Sequence, residues 1–167
     1  MNKRAPFQYV SSRWLRAKGG HPDESRDCSV RALATATGLP YAEAHAVMAA
    51  SGRLPKQAWW TDRGLKFLAE LGAIKFEEVK LIDWSDRVES KALFRSYELD
   101  KGDVYDRRQR SRFKAVTIGA LLRRLPAGHY VCHTRDHAFA LIDGVVHDGR
   151  APGLNTAIEQ CWRIESA

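Results

Sequence analysis

The sequence is short of cysteine, has no long apolar run and contains no repeat, and each shortage removes a class of protein. Three cysteines, Cys28, Cys132 and Cys161, are too few, and odd in number, to staple a small fold with disulfides. With no secretion-type leader in front of them they are expected to be reduced, one reactive and two in the core. Nothing approaches the ~18 consecutive apolar residues of a membrane helix. The basic start Met1-Asn2-Lys3-Arg4-Ala5-Pro6 leads into no apolar segment of the signal-peptide kind. The expectation is a soluble chain, cytoplasmic where it is made, with no membrane partner. No window is of low complexity, so nothing reads as disordered overall.

What is present suits one globular domain. The 167 residues fall within the ~100–200 of a single domain, and an apolar share of 44% supplies one core. A formal charge of +7 permits weak attraction to nucleic acid or another polyanion without establishing one. Residues 1–22, with Gly19-Gly20, Pro22 and the aromatic residues Phe7, Tyr9 and Trp14, read as an irregular N-terminal arm. Residues 23–167 read as a single domain.

Helical spacing of Val30, Leu33, Ala34 and Thr37 predicts a helix from Cys28 to Thr37, ended by Gly38 and Pro40. Asp27 is its expected N-cap. A second helix is expected from about Tyr41 to Ala50. A third follows a Thr61 cap, with Leu65, Leu68 and Leu71 on one face. Residues 73–82 read as extended and 83–98 as ambiguous. Thr117 is expected to cap a short helix to about Leu125. Tyr130-Val131-Cys132 and His137–Ile142 then read as strands, and Asp143-Gly144 is a two-residue hairpin signal leading into Val145–Asp148. Helices first and a strand meander afterwards give an α+β layout.

Cys28 lies at a helix start, where the amide groups and dipole favour negative charge and hence the thiolate, the nucleophilic form. Across an Asp143-Gly144 turn, Ile142 opposes Val145, Leu141 opposes Val146, Ala140 opposes His147 and Phe139 opposes Asp148. Opposed and alternate residues share a face. His137 therefore falls on the diagonal from Asp148, His147 on the opposite face, and Asp143 in the turn. A thiol, a base and a carboxylate orienting that base are the parts of nucleophilic catalysis.

The stretch from Asp27 to Ala34 with Gly38-Leu39-Pro40-Tyr41, and the blocks Gly128–Cys132 and His137–Asp148, resemble the nucleophile helix and histidine hairpin of the papain-like cysteine peptidases. The likeness extends to small members encoded by bacteriophages and prophages and to bacteriocin-processing peptidase domains. It covers roughly residues 23–150, with the two blocks carrying it. The resemblance implies a papain-like α+β fold, with a nucleophile helix and further helices packed on a C-terminal antiparallel sheet. It also implies a thiol hydrolase that cleaves a peptide, isopeptide or related amide bond of a protein or peptide, with no cofactor. Cys28, His137 and Asp148 would form the triad, and the Cys28 backbone amide would hold the oxyanion. A phage origin would place the protein in the host cytoplasm or the virion.

One position departs from that pattern. Papain-like enzymes place a glutamine five or six residues before the cysteine as an oxyanion donor, and here those positions hold Asp23 and Pro22. An ionised carboxylate has no proton to donate and proline has no amide hydrogen. His21, Ser25 or a tryptophan of the Trp59-Trp60 loop are the candidates for a second donor. An inactive papain-fold protein, acting as a structural or binding module, is the alternative function.

Three further groupings have rival readings. Trp59 and Trp60 suit a substrate cleft or core packing equally. The basic run 107–114, with Arg107, Arg108, Arg110 and Arg112 beside Tyr105 and Phe113, is a solvated or charge-protected edge, or else a weak contact to a nucleic-acid backbone. Cys132, His133, His137 and Cys161 fit no common zinc spacing, and adjacent strand residues point to opposite faces, so no metal is expected.

Overall fold

The computed structural model describes residues 9–81, 116–150 and 152–167. The basic run with Arg107, Arg108, Arg110 and Arg112, and the ambiguous segment 83–98, lie outside the described residues. The described elements run β1 (Tyr9–Ser11), α1 (Trp14–Lys18), α2 (Cys28–Thr37), α3 (Tyr41–Ala50), α4 (Thr61–Glu70), β2 (Ile74–Glu78), α5 (Ile118–Arg124), β3 (His129–His133), β4 (Ala138–Ile142), β5 (Val145–Asp148) and β6 (Gln160–Ser166). The architecture is α+β, with one six-stranded mixed sheet of order β1-β5-β4-β3-β6-β2.

Small residues explain where α2 sits. Ser29, Ala32, Ala34 and Ala36 are buried along with Val30 and Leu33, and short side chains let the helix axis approach the sheet closely. It lies chiefly over β4 and β3, with α3 and α4 beside it. Val30, Leu33, Met48, Leu65, Val131, Ala140 and Trp162 meet in the core between these helices and the sheet. Each fully buried Leu, Val or Met side chain contributes about 1.5–3 kcal/mol over exposure. On the opposite face, Ile118 and Leu121 of α5 pack with Tyr130, Cys132, Phe139, Leu141, Val146, Ile158 and Cys161.

The hairpin has the expected register: Ile142 pairs with Val145, Leu141 with Val146 and Ala140 with His147. Asp143 and Gly144 take φ of 48° and 82°, the left-handed pair that a two-residue hairpin turn requires and that Asp-Gly accommodates. The ladder stops there, so Phe139 is not paired with Asp148; Asp148 pairs instead with Ser11 of β1.

Two expectations about the sheet need correction. It is neither purely antiparallel nor purely C-terminal, because β1 joins β5 in parallel and β2 joins β6 from the middle of the chain. Within the segment expected to be an irregular arm, Tyr9–Ser11 forms β1 and Trp14–Lys18 forms α1. Three residues are too few for alternation to register in a sequence. Parallel pairing also needs a long connection, which here is most of the domain.

Candidate active site

Cys28 is the first residue of α2. Asp27 occupies the N-cap position as expected, but its carboxylate makes no capping hydrogen bond. Oδ1 accepts from Arg31 Nε at 3.1 Å and Oδ2 from the Tyr41 hydroxyl at 2.9 Å. The side chain is thereby withdrawn from the amides of the first turn, which stay available to an anion arriving at the helix end. Just ahead, Arg26 has φ of 50°, a left-handed conformation costing a non-glycine residue about 1–2 kcal/mol. Strain of this kind collects at functional sites.

His137 stands immediately before β4 and is therefore not bound by that strand's alternation. Its Nε2 lies 2.8 Å from both Oδ1 and Oδ2 of the buried Asp148. The ring nitrogen left over is Nδ1, and the imidazole lies near enough to the Cys28 thiol for each to shift the other's pKa. The Ala138 amide likewise favours the thiolate. The three side chains expected to converge do so, at the end of β4 where the N-terminus of α2 overhangs the sheet. His147 pairs with Ala140, and its half-burial lowers its pKa.

The electrostatics follow from these contacts. Burial alone pushes the Cys28 thiol up, but His137 and the Ala138 amide, with the charges of His137 and Arg31, outweigh it and leave the pKa below its ordinary value. The hydrogen bond to Asp148, and then the nearby Cys28 thiol, raise His137 to about 9 against the opposing effect of burial. The two shifts act in the direction of a thiolate beside an imidazolium, the reactive form of a cysteine nucleophile.

Asp148 is itself held firmly. Its Oδ1 accepts from the Gly149 amide at 2.5 Å, and its carbonyl from the Ser12 amide at 2.6 Å and the Tyr9 hydroxyl at 3.3 Å.

The two tryptophans have different surroundings. Trp59 packs against the core, donates Nε1 to Ser51 Oγ at 3.2 Å and carries Arg63 over its ring. Trp60 is 58% exposed. It precedes Thr61, whose hydroxyl lies 2.6 Å from His133 Nε2, and His133 pairs with Ala138 in the sheet. Thr61 does not cap α4 as expected; Trp60 holds the cap position, and the hydroxyl serves the buried His133 instead.

Of the candidates for a second oxyanion donor, the Trp59 indole is committed to Ser51. His21 stacks on His45 with ring centroids 4.1 Å apart. Ser25 is tied into the loop, its amide donating to Glu24 Oε1 and its carbonyl accepting from Arg53. Pro22 and Asp23 are both exposed. The hydroxyl of Ser29, next to the nucleophile, is buried without a partner.

The residues weighed as a metal set do not converge. Cys132 and Cys161 face each other at 3.6 Å in the core beneath α5. His133 turns to the other face against Thr61 and Trp162, and His137 is engaged by Asp148. Among the described residues no group of potential ligands gathers elsewhere.

One cluster has no counterpart in the sequence reading. The buried Glu24 accepts from Arg53 at 3.1 Å, from the Lys56 amide at 2.7 Å and pairs with His45 at 2.8 Å. Although burial raises its pKa, the Arg53 and His45 contacts and two backbone amides prevail and hold the carboxyl down at about 2. It anchors the loop that delivers Cys28. The partners lie 21 to 32 positions away, and no local periodicity signals such a pairing.

No protein-family model, no curated protein and no solved structure matches this chain. The functional reading therefore rests on the residues and their geometry.

Proposed function

We propose that the chain is a papain-like thiol hydrolase that cleaves a peptide, isopeptide or related amide bond through Cys28, His137 and Asp148. The observation that carries this reading is the placement of His137 between the Cys28 thiol and the Asp148 carboxylate, with the thiol at a helix N-terminus. The order of parts supports it as well: a cysteine helix first, then a hairpin bearing histidine and aspartate.

In this reading the thiolate attacks the carbonyl carbon, and the Cys28 amide binds the oxygen that becomes negative. His137 Nδ1 gives its proton to the leaving nitrogen as the C–N bond breaks, leaving a thioester. The neutral imidazole then takes a proton from water, whose hydroxide attacks the thioester and releases the acid product. That step restores the thiolate–imidazolium pair. Asp148 on Nε2 keeps Nδ1 facing the sulfur throughout. Trp60, exposed beside Thr61, is the aromatic residue available to line a cleft for a protein or peptide substrate.

Alkylation by iodoacetamide, mapped by mass spectrometry, tests the nucleophile. Cys28 is expected to react at neutral pH while the buried Cys132 and Cys161 are spared, and His137→Ala should slow Cys28 by about tenfold or more. Equal labelling of all three thiols, or no effect of His137→Ala, overturns the reading. Hydrolysis of a quenched-fluorescence peptide library then tests turnover.

The exposed Pro22 and Asp23 at the usual glutamine positions favour a second reading, in which the fold serves as a binding or structural module. Lack of one oxyanion donor costs about 100- to 1000-fold in rate. An activated Cys28 with no hydrolysis of any library member would favour that second reading.

A further inference from the structure

We propose that Arg31 is a positioning residue of this site, fixing the distance between the nucleophile helix and the Asp148 end of β5; the inference rests on the triad reading above. Arg31 lies one helical turn beyond Cys28, and its guanidinium reaches both chain segments that deliver the site. Nε donates to Asp27 Oδ1 at 3.1 Å, directly before the nucleophile. Nη1 donates to Ser12 Oγ at 2.9 Å, and the amide of that same Ser12 donates to the Asp148 carbonyl at 2.6 Å. The remaining side of the guanidinium packs against Gly149, whose amide donates to the Asp148 carboxylate.

Gly149 is close enough that a Cβ there would come 2.6 Å from Nη1 and 2.9 Å from Nη2. Its φ is not of the kind that demands glycine, so space, not backbone conformation, restricts the position. The guanidinium cannot easily step aside, because Asp27 and Ser12 hold it. Asp27 in turn is fixed through its second oxygen by the Tyr41 hydroxyl. Asp27, Ser12 and Asp148 are all buried, so this differs from an exposed i,i+4 ion pair, which is worth only a few tenths of a kcal/mol.

A planar fork suits the task. Arginine presents several donors in fixed directions, so one group addresses Asp27 and Ser12 together; lysine is a point charge on a flexible stem. The positive charge one turn from the sulfur also favours the thiolate. Arg31 is here a positioning group because its hydrogen bonds go to Asp27 and Ser12, and its effect on His137 passes through Gly149 and Asp148.

Three variants of the full chain, Arg31→Gln, Arg31→Lys and Gly149→Ala, test the proposal. The readouts are the pH profile of Cys28 alkylation by iodoacetamide, the imidazole NMR signals of His137, and the melting temperature. Arg31→Gln is expected to move the alkylation inflection upward, to slow labelling at neutral pH by about tenfold, and to shift the His137 signals. Arg31→Lys should recover the inflection in large part but not the His137 signals. Gly149→Ala, with Arg31 intact, should reproduce the His137 change and carries the test if Arg31→Gln does not fold.

A lowered melting temperature with wild-type His137 signals and a wild-type alkylation profile would reduce Arg31 to a structural ion pair and overturn the proposal. Full restoration of every readout by Arg31→Lys would overturn it too, leaving charge alone. If wild-type Cys28 shows an ordinary thiol profile while Arg31→Gln and Gly149→Ala still shift His137, the hydrolase reading fails and the positioning role stands.

Discussion

Asp148 presents both of its carboxylate oxygens to His137 Nε2 at 2.8 Å, while almost none of its own surface reaches solvent (2% exposed). A carboxylate that makes both contacts leaves the imidazole one orientation, with Nδ1 toward Cys28. The carboxylate is acceptor only, so it fixes the tautomer as well as the angle.

Asp148→Asn keeps the size of the side chain but replaces one acceptor oxygen by a donor. The expected result is a His137 pKa below its present value of about 9 and a loss of hydrolysis well short of the about 10,000-fold of a serine triad, because the remaining amide oxygen still accepts from Nε2, as the asparagine of papain-like sites does. NMR titration of His137 beside kinetics checks both. An unchanged His137 titration would show that Asp148 does not govern the ring.

The pH dependence has two limbs with opposite signs. The folded pKa of His137, about 9, lies above the ordinary imidazole value. Its contribution to stability is therefore complete below that ordinary value and is lost as pH rises through about 9. Cys28 is depressed when folded, so its contribution is present above the ordinary thiol value and lost as pH falls through the depressed one. Rapid Cys28 alkylation should therefore persist at a pH where a free thiol has gone slow, and His137→Asn should move that limb upward. Coincident profiles for the two proteins would contradict a thiolate–imidazolium pair.

Glu24→Gln removes the charge that answers the buried Arg53. Leaving such a cation uncompensated costs about 3–5 kcal/mol, measurable by denaturant unfolding. Because the folded carboxyl sits near 2, the contribution of Glu24 is fully present above the ordinary carboxylate value and disappears as pH falls through about 2. A variant within error of wild type at neutral pH would remove this cluster as the anchor of the nucleophile loop.

Thr61→Val keeps the shape and removes the hydroxyl that meets His133. A buried ring nitrogen without a partner costs about 1–3 kcal/mol. Burial holds His133 down at about 4. Below the ordinary imidazole value the unfolded chain therefore binds a proton that the folded one refuses, and stability falls as pH drops toward 4. Unfolding at pH 5 and pH 7 checks this limb, and equal stability of Thr61→Val and wild type would show the contact to be idle.

What the sequence made legible was local. The α2 boundaries follow from periodicity and from Gly38 and Pro40, and the Asp143-Gly144 turn sets the pairing of β4 with β5, beyond whose last pair His137 and Asp148 meet. The side-chain partners of Asp27 and Thr61 were not legible, since both are good cap residues drawn away by long-range partners, Tyr41 and His133. Strand β6 was missed for a different reason. Buried Trp162 and Ile164 alternate with exposed Arg163 and Glu165, a period-2 signal only four residues long, and the buried Cys161 ahead of it faces the other core cluster and breaks the pattern. Of the ties around Arg31, only Asp27 has a readable spacing, i,i+4; Ser12 and Gly149 reach it through the fold alone.

The parallel pairing of β1 with β5 has a consequence in time. Tyr9 and Asp148, joined by a hydrogen bond, stand 139 positions apart, and Cys28 is made long before His137 and Asp148, which under the proposed function activate it. On a growing chain the thiol is an ordinary one, with neither imidazole nor carboxylate in reach. Reactivity arrives late and all at once, when the hairpin emerges and the first strand closes beside it. A newly made molecule thus carries the proposed nucleophile unarmed through most of its own synthesis.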